Sequence, residues 1–72
     1  MDIDKIGKFI SERRKSKKLT QEQLAEKLNI SDRAISKWER GICLPDASIM
    51  INLCKILDIN VNELLSGEML NE

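Results

Sequence analysis

QEQLAEKLNISDRAISKWERG, residues 21–41, holds two apolar stripes at helical spacing with a short break between them. Leu24 and Leu28 stand four apart, and Ile35 and Trp38 stand three apart, so each pair shares one side of a helix. Thr20 and Gln23 have the form of a capping box, in which each satisfies an orphan N–H of the first turn. Ser31 is a good N-cap, followed by Asp32 in the positive first turn. Gly41 accepts the positive φ that ends a helix. Two helices joined only by Asn29, Ile30 and Ser31 must cross steeply. Such a corner buries Ala25, Leu28, Ile30 and Ile35, and a side chain larger than that of Ala25 would hold the helices apart.

The flanks show the same periodicity. Ile3, Ile6 and Ile10, with Phe9 beside them, predict a helix over about residues 3–17. Pro45 and Asp46 open a fourth helix with Ile49, Leu53 and Leu57 as its stripe and Met50 and Cys54 next to it. Asn60 and Glu63 form a second capping box. It opens a short fifth helix that carries Val61, Leu64 and Leu65 and stops at Gly67. β-branched runs are absent, and the chain reads as all-α with five helices.

With 72 residues the chain holds one core. Charged residues make up 33% and hydrophobic residues 42%, which excludes compositional disorder. No apolar run approaches the roughly 18 residues of a membrane span. The start MDIDKIGKFI lacks the order of a signal peptide, so a cytoplasmic location is expected. The 2 cysteines, Cys43 and Cys54, are expected as reduced thiols, Cys54 as a small core residue. With no histidine and no CxxC, neither a zinc site nor another metal site is expected. No Ser–base pair is evident, so neither an enzyme nor a bound cofactor is expected.

A net charge of zero conceals a gradient. Residues 1–40 carry 11 Lys+Arg against 7 Asp+Glu, and residues 41–72 carry 1 against 5. A polyanion is drawn to the first half and repelled by the second. The basic cluster ERRKSKK, residues 12–18, adds to the first half, although such clusters also serve as solvated helix surface. On the third helix, Arg33 and Lys37 stand four apart on a face other than that of Ile35 and Trp38, with Ser36 at its edge. A helix about 10–12 Å across fits the major groove of B-DNA, about 12 Å wide, where Arg and Lys donate to guanine O6 and N7. The N-termini of helices two and three suit phosphates.

LTQEQLAEKLNISDRAISKWERGICLPD, residues 19–46, resembles the helix-turn-helix of the Cro and phage-repressor type, also called the xenobiotic-response-element (XRE) family. Gln21, Leu24, Ala25, Leu28, Ile30, Ile35, Trp38 and Glu39 fall at the family's spacing, and the likeness runs from about Ile6 to Gly67. It implies a five-helix lambda-repressor-like DNA-binding domain, residues 1–67, followed by a C-terminal tail, residues 68–72. It implies base contacts from Arg33 and Lys37, with Ser36 and Asp32 in second rank. Asp32 either accepts from cytosine N4 or only stabilises the helix N-terminus. It implies phosphate contacts from Thr20, Gln21, Ser31 and Arg40, and a buried salt bridge between Arg14 and Glu39. Asn29 replaces the family's usual turn glycine, and asparagine tolerates the left-handed conformation. The loop GICLPD is apolar where some relatives are basic.

The expected function is that of a sequence-specific transcriptional regulator, a repressor, reading the groove with helix 32–40. It would bind a pseudo-palindromic double-stranded operator as a homodimer joined through the C-terminal helix. The alternative is a helix-turn-helix module for protein interaction, such as an antitoxin-like partner. The neutral net charge and the apolar residues Ile59, Met69 and Leu70, expected to be exposed, keep that alternative open. The ending SGEMLNE suits either a complete Cro-like regulator or the first domain of a longer one, and it is polar enough to fray where it stands alone.

Overall fold

The computed structural model describes residues 1–70. These residues form five helices and no strand: α1 Ile3–Ser16, α2 Gln21–Leu28, α3 Asp32–Glu39, α4 Ala47–Leu57 and α5 Val61–Ser66. Most boundaries have a local cause. Asp2 accepts from the N–H groups of Asp4 and Lys5 and caps α1. Both capping boxes form, Thr20 with Gln23 on α2 and Asn60 with Glu63 on α5. Asn29 closes α2 in the left-handed region at φ 57°, as glycine does in other turns of this kind. Asp58 and Gly67 end α4 and α5 in the same region. Ser31 departs from expectation. It occupies the N-cap position of α3 with extended backbone, but its hydroxyl makes no capping bond.

α1 packs on α3, α5 and α4; α2 packs on α3 and α4; and α4 meets α5. Ile6, Ile10, Leu24, Ile35, Leu53, Leu57 and Leu64 are fully buried where these helices converge. Burying each such side chain contributes about 1.5–3 kcal/mol against the entropy of ordering the chain. Trp38, Cys54 and Ala25 complete the cluster, while Leu28, Ile30, Ile49, Met50 and Ile59 pack at its margin. Ile59 is therefore not the exposed apolar residue expected, because its N–H closes onto the Cys54 carbonyl and turns the residue inward. Val61 is the reverse case, on the outer face of α5 and 39% exposed.

The basic cluster of α1 is largely committed to the fold. Arg13 donates through Nε and Nη2 to the Leu57 carbonyl at 3.2 and 2.9 Å and so caps the C-terminus of α4. Lys17 lies 3.6 Å from Asp58. The segment after α5 is anchored as far as it is described. Glu68 pairs with Lys5 at 2.9 Å, and the Leu70 N–H donates to Glu63 Oε2 at 3.0 Å. Fraying was expected of a tail over residues 68–72, whose last two residues lie outside those described.

Candidate nucleic-acid interface

α2, the three-residue turn and α3 form one corner. Ala25 and Ile35 are buried in it and Leu28 and Ile30 partly so, and the Ile30 N–H closes onto the Ala25 carbonyl at 3.0 Å. α1 lies behind α3. Trp38 and Ile35 are buried, and they fix which side of α3 faces outward. Arg33 and Lys37 stand on that outward side, exposed, in no ion pair or side-chain hydrogen bond among the described residues. Asp32 is exposed beside them and Ser36 is half-buried at the edge. Arg40, the C-cap of α3, is exposed, with its Nε 3.4 Å from the Ser36 carbonyl. α3 thus offers two exposed cations one turn apart, unengaged by any of the described residues.

The N-terminus of α2 belongs to the same corner. The first N–H groups of a helix lack intrahelical partners. Thr20 Oγ1 takes the N–H of Gln23 at 3.0 Å and the Thr20 carbonyl takes that of Leu24, leaving those of Gln21 and Glu22. Thr20 is itself held, its N–H donating to Gln23 Oε1 at 2.9 Å. Ser31 is exposed, and its uncapped hydroxyl remains available. Ser31 and Arg40 thus stand at the two ends of α3, and Thr20 and Gln21 at the start of α2.

Beneath this surface lies an ion pair. Arg14 Nε donates to Glu39 Oε2 at 2.7 Å and Nη2 donates to Oε1 at 3.0 Å, the bidentate fork that suits guanidinium and carboxylate. Both side chains are nearly inaccessible, at 11% and 7% exposure. Burial pushes the Glu39 carboxyl up, but hydrogen bonds from Arg14 and Gln21, with the charge of Arg14, outweigh it and hold the group below the usual carboxylate range. The same bond to Glu39 raises Arg14 against the opposing effect of burial. The acid at the end of α3 is thus cancelled from inside, and the exposed charge of α3 and its C-cap is that of Asp32, Arg33, Lys37 and Arg40.

One contact was not legible in the sequence. Gln21 Nε2 donates to Glu39 Oε1 at 3.0 Å, so the side chain expected to face outward is also tied inward. The two residues lie 18 apart, and no spacing rule links them. Cys43 is exposed in the loop after α3 and Cys54 is buried, both as free thiols. Among the described residues no group of acids and cysteines has the grouping to hold a metal ion, and no helix is long and apolar enough to cross a membrane.

Comparison with known proteins agrees with this architecture. A helix-turn-helix family model matches residues 10–64. The transcriptional activator BcrR of Enterococcus faecalis is 49% identical over 57 residues, which make up 79% of this chain and 28% of BcrR. Repressor protein C2 of Salmonella phage P22 is 33% identical over 69 residues, 96% of this chain and 32% of the repressor. The chain spans between about a quarter and a half of the length of the first curated relatives it matches. Among solved structures, the restriction-modification controller protein C.AhdI of Aeromonas hydrophila superposes with a TM-score of 0.78 at 32% identity, covering 88% of this chain and 96% of the controller. Matched by the family model over most of its length and built on the same corner of α2 and α3, the chain belongs to the helix-turn-helix family, in its Cro and phage-repressor (XRE) branch.

Proposed function

We propose that residues 1–67 are the sequence-specific DNA-binding domain of a cytoplasmic transcriptional regulator, with residues 68–72 as its C-terminal tail. α3 enters the major groove. Arg33 and Lys37 donate to guanine O6 and N7, and Ser36 and Asp32 contact neighbouring base edges. Thr20, Gln21, Ser31 and Arg40 hold the phosphates on either side and set the angle of α3 in the groove. The carrying observation is the pair of unengaged cations, Arg33 and Lys37, one turn apart on the exposed side of a helix whose other side is locked by Trp38 and Ile35.

The relatives support a regulatory role. BcrR is named a transcriptional activator and C2 a repressor. Repression, the sense expected here, follows where the operator overlaps a promoter. Two copies joined through α5 and the tail would place their α3 helices on half-sites about one helical turn apart, so the operator would be pseudo-palindromic.

Selection of bound duplexes from random DNA, repeated at two salt concentrations, tests the reading. A symmetric consensus with affinity that falls steeply with salt is expected. A module that binds only protein would return no consensus and little salt-dependent retention of duplex, and either result would remove the proposal.

A further inference from the structure

Glu39 is the acceptor for two separate donors. Its Oε1 takes Arg14 Nη2 and Gln21 Nε2, each at 3.0 Å, while Oε2 takes Arg14 Nε. Arg14 Nη1 donates in turn to the Leu19 carbonyl at 2.8 Å, in the turn that leads into α2. One point in the structure therefore joins α1, the α1–α2 turn, the first residue of α2 and the last residue of α3. The pair itself is too deeply buried to touch a ligand. Gln21 is half-buried, at the rim. Its amide carries two N–H donors, and Glu39 occupies one of them.

We propose that Arg14 and Glu39 are positioning residues for DNA phosphate, acting through Gln21: the carboxylate holds one amide N–H and thereby aims the other at a phosphate beside the N-terminus of α2. The inference deepens the DNA-binding reading and rests on it. Two physical reasons make the arrangement effective. A free glutamine loses rotamer freedom when it binds, and Glu39 removes that freedom beforehand. A lone carboxylate so near a phosphate would repel it, and the Arg14 guanidinium cancels that charge. Gln21 then acts with the unpartnered N–H groups of Gln21 and Glu22 in the same turn.

The test is a double-mutant cycle on binding to a random-sequence duplex at fixed salt, with Tm measured alongside. Arg14→Met with Glu39→Met removes the acceptor while keeping apolar bulk, a change that buried pairs often tolerate. Arg14→Met with Glu39→Gln retains a neutral acceptor oxygen for Gln21. Gln21→Ala should weaken binding by the unmodified protein about tenfold, the scale of a hydrogen bond to a charged group. The first double substitution should cause the same loss, and Gln21→Ala added to it should cost less than about twofold more. The second double substitution should bind better than the first at equal Tm. Equal cost of Gln21→Ala in both backgrounds, or no advantage for the second double substitution, overturns the inference. Should the doubly substituted chains not fold, the two side-chain amide protons of Gln21 in the unmodified protein give the answer by NMR. One should keep its carboxylate-bound shift when duplex is added while the other moves, and equal movement of both overturns the inference. Failure of the unmodified protein to bind duplex at all would remove the DNA reading and this inference together. Normal binding with an additive cycle would remove this inference alone.

Discussion

Gly7 of α1 lies directly under the carbonyl end of α3, so that a Cβ on Gly7 would collide with the Trp38 carbonyl oxygen and stand 2.9 Å from that of Glu39. The neighbours are backbone and cannot swing aside. Gly7 is buried mid-helix, where exchange for alanine ordinarily favours the helix by about 0.5–1 kcal/mol. Here the sign should reverse. Gly7→Ala is expected to cost about 1–3 kcal/mol, the range of overpacked sites, seen as a fall in Tm of at least about 4 °C. An unchanged or higher Tm would mean that α1 and α3 can separate at little cost.

Arg14 and Glu39 should behave as a unit. Arg14→Ala or Glu39→Ala alone leaves a buried charge without its partner and should cost about 3–5 kcal/mol in urea denaturation. The paired exchange for methionine should cost far less than the sum of the two. Additive losses would mean that the pair contributes no more than two independent surface charges.

The helices themselves are written locally. Both capping boxes and the stripes of α2 and α4 are set by residues within one or two turns, so spacing alone reveals them, while the left-handed Asn29 is read from the glycine that the family has there. What spacing missed is set across the fold. Gly7 matters because of what passes above it, and Arg13 caps a helix end 44 residues away. Gln21 reaches Glu39 only after the corner has closed. Ser31 has the residue type of a cap and not its bond, because identity gives the capacity and the rotamer decides its use. The Arg14–Glu39 pairing came from family resemblance, since residues 25 apart on different helices carry no periodic signal.

Glu39 also predicts a response to acid. Its folded carboxyl lies below the usual range, through hydrogen bonds that outweigh its burial. Glu63 is lowered too, by the backbone N–H groups of Asn60 and Leu70. With folded pKa values below the unfolded value of about 4.3, the unfolded chain binds more protons in between. The stability these groups contribute is complete above the unfolded pKa and is lost as pH falls through the folded values. Tm should hold steady from about pH 7 to 5 and fall below about pH 4.5. Arg14→Met with Glu39→Gln should flatten that fall, and an equally steep fall in this variant would place the acid sensitivity elsewhere.

Arg33 and Arg40 should separate by kind of loss. Arg33→Ala is expected to cost about 1–3 kcal/mol on the preferred site and relax base choice at one position. Arg40→Ala should weaken all duplexes alike and reduce the slope of log affinity against log salt by about one unit. Competition between the preferred site and random duplex at several salt concentrations reads both. Uniform loss for Arg33→Ala would move that residue to the phosphate set, and an unchanged slope would remove Arg40 from it.

Thr20 and Ser31 occupy the same structural position on successive helices, and only Thr20 makes the capping bond. Thr20→Ala deletes an acceptor that the Gln23 N–H uses at 3.0 Å and should cost about 1 kcal/mol of stability. Ser31→Ala deletes no such bond and should change stability by less than about 0.5 kcal/mol. If the free Ser31 hydroxyl meets a phosphate, the same substitution should still weaken DNA binding severalfold at unchanged Tm. Chemical denaturation and duplex titration of the two variants side by side separate the roles. A Ser31→Ala protein as destabilised as Thr20→Ala would show that the hydroxyl caps α3 in solution, and undiminished binding would take Ser31 out of the interface.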